Sequence, residues 1–400
     1  MSAIKLQNLK QPFHFLSWPT FADDEILKAS QVLASGKVNY WTGEEGRLFE
    51  EDYAKAVGTK YAIALMNGTV ALEAALAALE IGPGDEVITT CRTFIASASC
   101  IVMRGATPIL ADVDPISQNI TVETIKKVLS PKTKAIIVVH LAGWPCDMKS
   151  IMQWAKQHNL FVIEDCAQAH GAKYQDRPVG SWGDIAAFSF CQDKIITTGG
   201  EGGMITTDNR KIWETIWSLK DHGKSHEAVF ERNHPPGFRW VHESFGTNWR
   251  MTEIQAAIGR IQLRKLTEWT QLRQRNAAIL TTHFKQISAF KITEPEKDIY
   301  HAYYKYYVFV NPEKLKSGWN RDRIMQAINT EGVPCFSGSC SEIYLEKAFV
   351  ESGLTPAQRF PIAKELGETS LLFLVHPTLT ENHMLYMVQI VNKVMDEATS

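Results

Sequence analysis

The sequence predicts an α/β protein with a parallel sheet in its longer N-terminal part and a smaller α+β region after it. The clearest indication is a βαβ pattern, with a β-branched strand at 135–141, a helical period at 147–158 and an apolar strand at 160–163. Short apolar strands and alanine-rich helices alternate from Tyr61 onward, which is typical of such sheets. Beyond Met251 the pattern changes to one long helix and then an alternating strand.

The elements follow in chain order. A first helix starts at the acidic turn 23–25 and ends at Gly36, and the aromatic loop 39–43 after it is either a substrate rim or a packed turn. Further strands are predicted at 61–65, 86–90, 107–113, 185–190 and 303–310, and further helices at 70–79, 95–103, 322–330 and 381–396. Thr252 and Gln255 fit a capping box that opens the long helix. Its arginine face is predicted to be solvated rather than to bind RNA.

Length and composition limit the classes of function. The 400 residues predict two domains, a large one at 1–260 that includes an N-terminal arm and a smaller one at 261–400. A net charge of -2 gives no field that would attract nucleic acid or an anionic membrane. The N-terminal segment has no signal-like apolar region, and no apolar run is long enough to span a bilayer. Seven cysteines without a Cys-x-x-Cys spacing indicate reduced thiols and a cytoplasmic protein.

One lysine, Lys194, lies between a predicted strand and a glycine-rich segment. The apolar run 185–190 ends in a hydroxyl residue, Lys194 follows, and the glycine-rich segment 199–203 comes next. A lysine amine condenses with aldehydes, and desolvation or a nearby cation makes it nucleophilic near neutral pH. A lone lysine is usually a solvated surface residue, so other features have to support a Schiff-base role.

Two other features supply that support. Gly68 and Thr69 follow a strand and open a helix, which makes either a phosphate site or a plain helix start capped by Asn67. Asp165 lies at the carboxyl end of a predicted parallel strand, where ligands bind. Phosphate cradle, carboxylate and lysine together are what pyridoxal 5′-phosphate needs. The sequence predicts no metal site, since Asp112 and Asp114 have no histidine beside them and are interpreted as turn residues.

At this point the chain resembles the DegT/DnrJ/EryC1/StrS family of sugar aminotransferases. The resemblance is carried by Asn67-Gly68-Thr69, Gly82-Pro83-Gly84-Asp85, Glu164-Asp165-Cys166-Ala167-Gln168-Ala169-His170-Gly171, Phe188-Ser189-Phe190 with Lys194, and Gly246-Thr247-Asn248-Trp249-Arg250-Met251. It implies the aspartate aminotransferase fold (fold type I), in which a large domain has a mixed, mostly parallel seven-stranded sheet flanked by helices. It also implies pyridoxal phosphate as cofactor and a homodimer with shared active sites.

The resemblance implies a role for each site residue. Lys194 would hold the cofactor and later move a proton, and Asp165 would pair with the ring nitrogen. The other cofactor contacts would come from Gln168 at the ring hydroxyl, Phe94 on the ring face, and Gly68, Thr69 and Ser189 at the phosphate. Asn248 would reach the phosphate of the partner subunit, or else it only stabilises its own turn.

The implied reaction moves an amino group from L-glutamate to a nucleotide-linked keto sugar. A 4-keto-6-deoxyhexose for O-antigen or other surface glycans is the first expectation, and a 3-keto sugar is the alternative. Ala142 and the segment 335–340 depart from the usual family pattern and bear on the sugar rather than on the chemistry. A relative that binds the cofactor without transaminating is a further alternative. A nicotinamide enzyme is disfavoured because no strand-to-helix Gly-x-Gly-x-x-Gly occurs.

Overall fold

The computed structural model describes residues 13–399. The N-terminal arm predicted before the first helix therefore lies partly outside the described residues. Within 13–399 the helices are α1 (Asp23–Ser35), α2 (Glu45–Val57), α3 (Gly68–Ala78), α4 (Ala96–Met103), α5 (Val122–Lys126), α6 (Met148–Gln157), α7 (Arg210–Leu219), α8 (His226–Phe230), α9 (Glu253–Phe284), α10 (Arg321–Thr330), α11 (Lys347–Glu351), α12 (Pro361–Thr369) and α13 (Glu381–Ala398).

The strands of the same range fall into three sheets. They are β1 (Tyr61–Leu65), β2 (Glu86–Thr90), β3 (Thr107–Ala111), β4 (Thr133–Val139), β5 (Phe161–Asp165), β6 (Lys173–Tyr174), β7 (Arg177–Pro178), β8 (Ile185–Ser189), β9 (Gly203–Thr207), β10 (Phe290–Lys291), β11 (Ile299–Tyr300), β12 (Tyr306–Val310), β13 (Cys335–Phe336) and β14 (Ser370–Phe373).

The main sheet of the described chain has seven strands in the order β1-β9-β8-β5-β4-β2-β3. Strands β3, β2, β4, β5 and β8 run parallel, whereas β9 is antiparallel to both β8 and β1. The mixed, mostly parallel sheet of the sequence prediction is therefore confirmed. Ile136, Ile137 and Val138 of β4 are all fully buried, because helices cover both faces of the sheet.

The parallel strands place their carboxyl ends along one edge of the sheet. Asp165 ends β5 and Ser189 ends β8, and the two strands are direct neighbours with Asp165 opposite Ala187. Ligands of such sheets bind at this edge. Residues far apart in sequence thus meet at one place.

A second sheet, β10-β12-β14-β13, is antiparallel and packs with α13 around a separate core that contains Phe284, Val308 and Phe373. The long helix α9 begins at the predicted capping box, where Thr252 accepts a hydrogen bond from the Gln255 N–H. Its 32 residues run past residue 260. The domain boundary predicted there, 1–260 and 261–400, stays a prediction.

Several predicted elements are shorter or shifted, and others, among them β9 and α2, were not predicted. The strand predicted at 303–310 begins only at Tyr306, since Tyr303 has a positive φ of 46° that breaks the extended backbone. The strand β9 was not predicted, and its first residue, Gly203, is the last residue of the glycine-rich segment 199–203. The helix α2 was not predicted, although Phe49, Tyr53 and Val57 recur at four-residue spacing and are buried.

The expectations about minor features have mixed outcomes. Asp114 is a turn residue, since it accepts from the Ser117 N–H, whereas Asp112 accepts from the Ala363 N–H at the start of α12. The arginine face of α9 is not simply solvated, because Arg273 is almost fully buried. Across residues 13–399, no helix combines the length and the apolar character that a membrane crossing needs.

Candidate active site

The lysine that the sequence predicts to be catalytic lies in a turn shortly after β8. Lys194 donates its backbone N–H to the Cys191 carbonyl at 3.0 Å, and its own carbonyl accepts from the indole N–H of Trp18 at 2.8 Å. The Lys194 side chain is only 16% exposed. The backbone on either side of this residue is thus fixed, and its amine is largely shielded from water.

Asp165 lies on the neighbouring strand, fully surrounded by protein. Its Oδ2 accepts from the Ser97 hydroxyl at 2.7 Å and its Oδ1 accepts from the Ala167 N–H at 3.1 Å. Burial raises the pKa of Asp165, while these two hydrogen bonds and the charge of Lys194 act in the opposite direction. A buried carboxylate of this kind is stable only with donors or a cation beside it, so it suits a protonated ring nitrogen.

Ser97 was not among the predicted site residues. It is a buried hydroxyl on α4, and its oxygen also lies 2.9 Å from the Thr93 hydroxyl. A polar residue within the apolar helix 96–103 was the signal that could have found it. Its contact with Asp165 spans 68 residues of sequence and could not be read from local spacing.

The predicted phosphate site is brought together as expected. Asn67 caps α3 by accepting from the Val70 N–H at 2.9 Å, so the N–H groups of Gly68 and Thr69 have no acceptor inside the helix. A Cβ placed on Gly68 would lie 2.6 Å from the Ser189 Cβ, which shows how closely the helix start approaches the end of β8. Two free amides, a hydroxyl and the positive end of a helix form an anion site here.

A neutral histidine supports the Ser189 end of this site. The His170 Nε2 lies 2.8 Å from the Ser189 carbonyl, and its Nδ1 lies 2.8 Å from the Tyr53 hydroxyl. Because a carbonyl only accepts, Nε2 carries the proton and Nδ1 accepts from Tyr53. Burial lowers the pKa of His170 to about 3, which keeps the ring neutral.

Gln168 and Phe94 lie in the loops that follow β5 and β2. The Gln168 Oε1 accepts from the Ala142 N–H at 2.8 Å, which leaves the amide NH₂ as the group that can donate to a ring oxygen. Phe94 is 67% exposed, and its carbonyl accepts from the N–H of Ser97, the residue that holds Asp165. An exposed aromatic ring at this place in the chain, shortly before Ser97, is available for stacking.

Asn248 lies at the edge of the site rather than inside it. It is exposed and belongs to a segment that pairs with the end of β1, where the Met66 N–H donates to the Trp249 carbonyl at 2.9 Å. Its side chain accepts a long hydrogen bond of 3.5 Å from the Arg250 N–H. Reach to a partner subunit stays a prediction.

The segments expected on the sugar side differ in exposure. Phe336 is about half exposed, whereas Trp144 and Tyr40 are buried. In the loop 39–43 the Asn39 carbonyl accepts from the Thr42 and Gly43 N–H groups, which favours the packed turn over the substrate rim.

One cluster has the composition of a metal site. His140, Glu164 and Cys166 bring potential ligand atoms within 4.8 Å of one another. His140 and Glu164 lie 3.0 Å apart, and Glu164 also accepts from the N–H groups of Gly180 and Gly183. His140 and Glu164 form hydrogen bonds with each other and with the backbone, so the cluster does not indicate a metal.

The comparisons with known proteins agree with this geometry. The sequence profile of the DegT/DnrJ/EryC1/StrS aminotransferase family matches residues 19–392. The chain belongs to this family. A crystal structure of the aminotransferase from Psychrobacter cryohalolentis superposes with a TM-score of 0.95 at 56% identity, covering 96% of this chain and 99% of that one. The predicted aspartate aminotransferase fold is thereby confirmed.

Two curated relatives are named for different sugars. The chain is 35% identical to a GDP-perosamine synthase of Escherichia coli O157:H7, over 88% of this chain and 92% of the relative. It is 33% identical to a UDP-N-acetyl-3-dehydro-alpha-D-glucosamine 3-aminotransferase of Acidithiobacillus ferrooxidans, over 93% and 94% of the two chains.

The enzyme is a pyridoxal-phosphate-dependent sugar aminotransferase. The residues fit the cofactor, since a buried carboxylate, an anion site and a shielded lysine meet at one edge of the sheet. When bound, pyridoxal phosphate supplies an electron sink for the carbon that loses its proton.

Proposed function

We propose that the enzyme transfers the amino group of L-glutamate to the keto group of a nucleotide-linked 4-keto-6-deoxyhexose, giving a 4-amino sugar for O-antigen or another surface glycan. The observation that supports the amino-transfer part is that Lys194 lies near the buried Asp165. Asp165 ends β5, and Lys194 lies in the turn after β8, the neighbouring parallel strand. The 4-keto assignment is supported by the similarity to a GDP-perosamine synthase, since perosamine is a 4-amino sugar.

Each residue has a defined task in this proposal. Asp165 keeps a proton on the ring nitrogen, and Ser97 and the Ala167 N–H keep Asp165 ionised and oriented. Gly68, Thr69 and Ser189 hold the phosphate. The amine of Lys194 takes and returns the proton at the reacting carbon, which its shielding from water favours.

The 3-keto alternative remains because a specific observation favours it. The similarity to the 3-aminotransferase of Acidithiobacillus ferrooxidans is nearly as high as that to the perosamine synthase. A panel of nucleotide-linked 3-keto and 4-keto sugars, with products identified by mass spectrometry and NMR, separates the two. Amination at C3 alone would contradict our first assignment.

We also propose that the enzyme is a homodimer with shared sites. Phe238, Trp240 and Phe245 are between 74% and 103% exposed and lie in the segment that leads to Asn248. Exposed aromatic clusters of this kind mark interaction surfaces. A cytoplasmic location is proposed from the seven cysteines, which are all free thiols within residues 13–399.

Absorption spectra test the function directly. The loaded enzyme should be yellow, and L-glutamate alone should shift that absorption as the cofactor is converted to its amine form. Lys194→Ala should lose the colour and steady turnover, whereas Lys211→Ala, on the exposed surface of α7, should match wild type. A wild-type spectrum that glutamate leaves unchanged would favour a binding or regulatory relative instead.

A further inference from the structure

A second lysine approaches Lys194 from the other sheet. Lys305 directly precedes β12, and its amine lies 3.7 Å from Asp193 Oδ2. The amine of Lys194 lies 3.8 Å from Oδ1 of the same carboxylate. Both amines also lie over the ring of Tyr304, at 5.1 Å for Lys194 and 4.6 Å for Lys305. Two ammonium groups thus converge on one acidic residue.

A third basic group lies behind them. Arg273 of α9 is 1% exposed, and its NH1 donates to the Tyr304 carbonyl at 3.2 Å. Its Nε and NH2 have no hydrogen-bond partner among the described residues. We call Lys194, Arg273 and Lys305 the cation cluster.

The charges of the cation cluster do not balance. Asp193 is the carboxylate that these bases share, and the Tyr304 hydroxyl already donates to it. His376 adds no charge, since burial lowers its pKa to about 3. Burial, assisted by Arg273 and Lys194 and opposed by Asp193, lowers the pKa of Lys305 to about 8. An anion beside Lys305 would relieve this repulsion.

Lys305 is the member of the cluster that a ligand can reach without displacing Lys194. Its side chain is 20% exposed, whereas Arg273 is enclosed. A lysine is a compact point charge that suits a single carboxylate group. The place of Lys305 beside the amine that acts on the donor is where the donor's own carboxylate would lie.

We propose that Lys305 binds a carboxylate of the amino-acid donor, with Arg273 strengthening the positive field from behind. This inference rests on the proposed amino transfer from glutamate. A phosphate of the nucleotide sugar is the other anion that could use the same chemistry, and the test distinguishes the two sources.

The test separates the two halves of the reaction. Lys305→Met should raise at least tenfold the glutamate concentration that gives half the maximal rate of the absorption change, with the rate at saturation within about threefold of wild type. Lys305→Arg should recover most of the loss, and Lys314→Met, on the exposed surface, should behave as wild type. Calorimetry with glutarate, a dicarboxylate without an amine, should show the same loss of affinity in Lys305→Met.

Three results would contradict the assignment of Lys305 to the donor carboxylate or the proposed function. Unchanged glutamate dependence and glutarate affinity in Lys305→Met would overturn the inference, while a wild-type spectrum that does not respond to glutamate would overturn the proposed function itself. A loss confined to the nucleotide-sugar dependence would assign Lys305 to the phosphate. If Lys305→Met does not fold by circular dichroism, Lys305→Gln is measured in the same way.

Discussion

The two sides of Lys194 are built differently. On the cofactor side, Asp165 and Ser189 end neighbouring strands of one sheet, and Ser97 of α4 donates a hydrogen bond to the Asp165 carboxylate. On the other side, the cation cluster joins the turn after β8 to α9 and to the start of β12. The first side is assembled from one sheet edge, and the second is assembled between two sheets.

The difference lies in charge as well as in origin. Asp165 has a donor on each oxygen and is ready for a cationic ring nitrogen. The cation cluster has three bases around Asp193 and is ready for an anion. In the proposed function the first side binds the cofactor, and in the inference drawn from the cation cluster the second side binds a substrate.

The largest expected effect comes from the cofactor side. Asp165→Asn keeps the shape but removes the charge that holds the ring nitrogen protonated. Turnover should fall by on the order of a hundredfold or more, because a buried charge-assisted contact is lost where the charge develops. Single-turnover rates with glutamate measure this. Asp176→Asn, on an exposed turn with a positive φ that asparagine tolerates, is the control. Equal rates for both variants would show that Asp165 does not act on the ring.

The second effect concerns the phosphate end. In Gly68→Ala the new methyl group would meet the Ser189 Cβ at 2.6 Å, so α3 and β8 must separate. We expect cofactor affinity to fall roughly tenfold or more, with a loss of unfolding free energy of about 1–3 kcal/mol. Absorbance titration with pyridoxal phosphate and thermal melts measure the two effects. In Gly82→Ala the nearest atom to the new methyl group is the Arg104 carbonyl oxygen at 3.7 Å, so this variant should retain wild-type affinity.

The smallest expected effect is a shift in the pH dependence of the enzyme in Ser97→Ala. Ser97→Ala removes one donor from Asp165, which costs about 1–3 kcal/mol for a buried carboxylate. Because the Ser97 hydrogen bond opposes the rise in the pKa of Asp165 that burial causes, its loss raises that pKa further. The acid limb of kcat/KM should therefore move to higher pH, and the deficit should grow as pH falls. Ser99→Ala on the same helix should leave the pH profile unchanged. An unshifted profile in Ser97→Ala would show that Ser97 does not influence the ionisation of Asp165.

The cofactor side could be predicted from the sequence, and the cation cluster could not. Gly68, Asp165 and Lys194 each follow a strand, and parallel strands bring such residues to one edge. Lys305 and Arg273 follow no such rule. A lysine beside a strand and an arginine on a long helix usually face solvent, whereas here Arg273 is buried and Lys305 is only 20% exposed.

The missed elements have similar causes. Ser97 acquires its function through a partner 68 residues away. The strand β9 contains Gly203, whose Cβ position lies 2.3 Å from the Asn67 carbonyl oxygen, so a glycine that reads as a turn is required by close packing. Local patterns report strands and caps, whereas contacts between distant segments appear only in the folded chain.

The identity of the residue that carries the cofactor is the most direct test. Borohydride treatment of the loaded enzyme fixes the cofactor to the amine that holds it, and peptide mass spectrometry locates the added mass. We predict the label on Lys194 alone, with Lys305 unmodified. A label on Lys305, or none on either lysine in an enzyme that transaminates, would contradict the assignment of the two lysines.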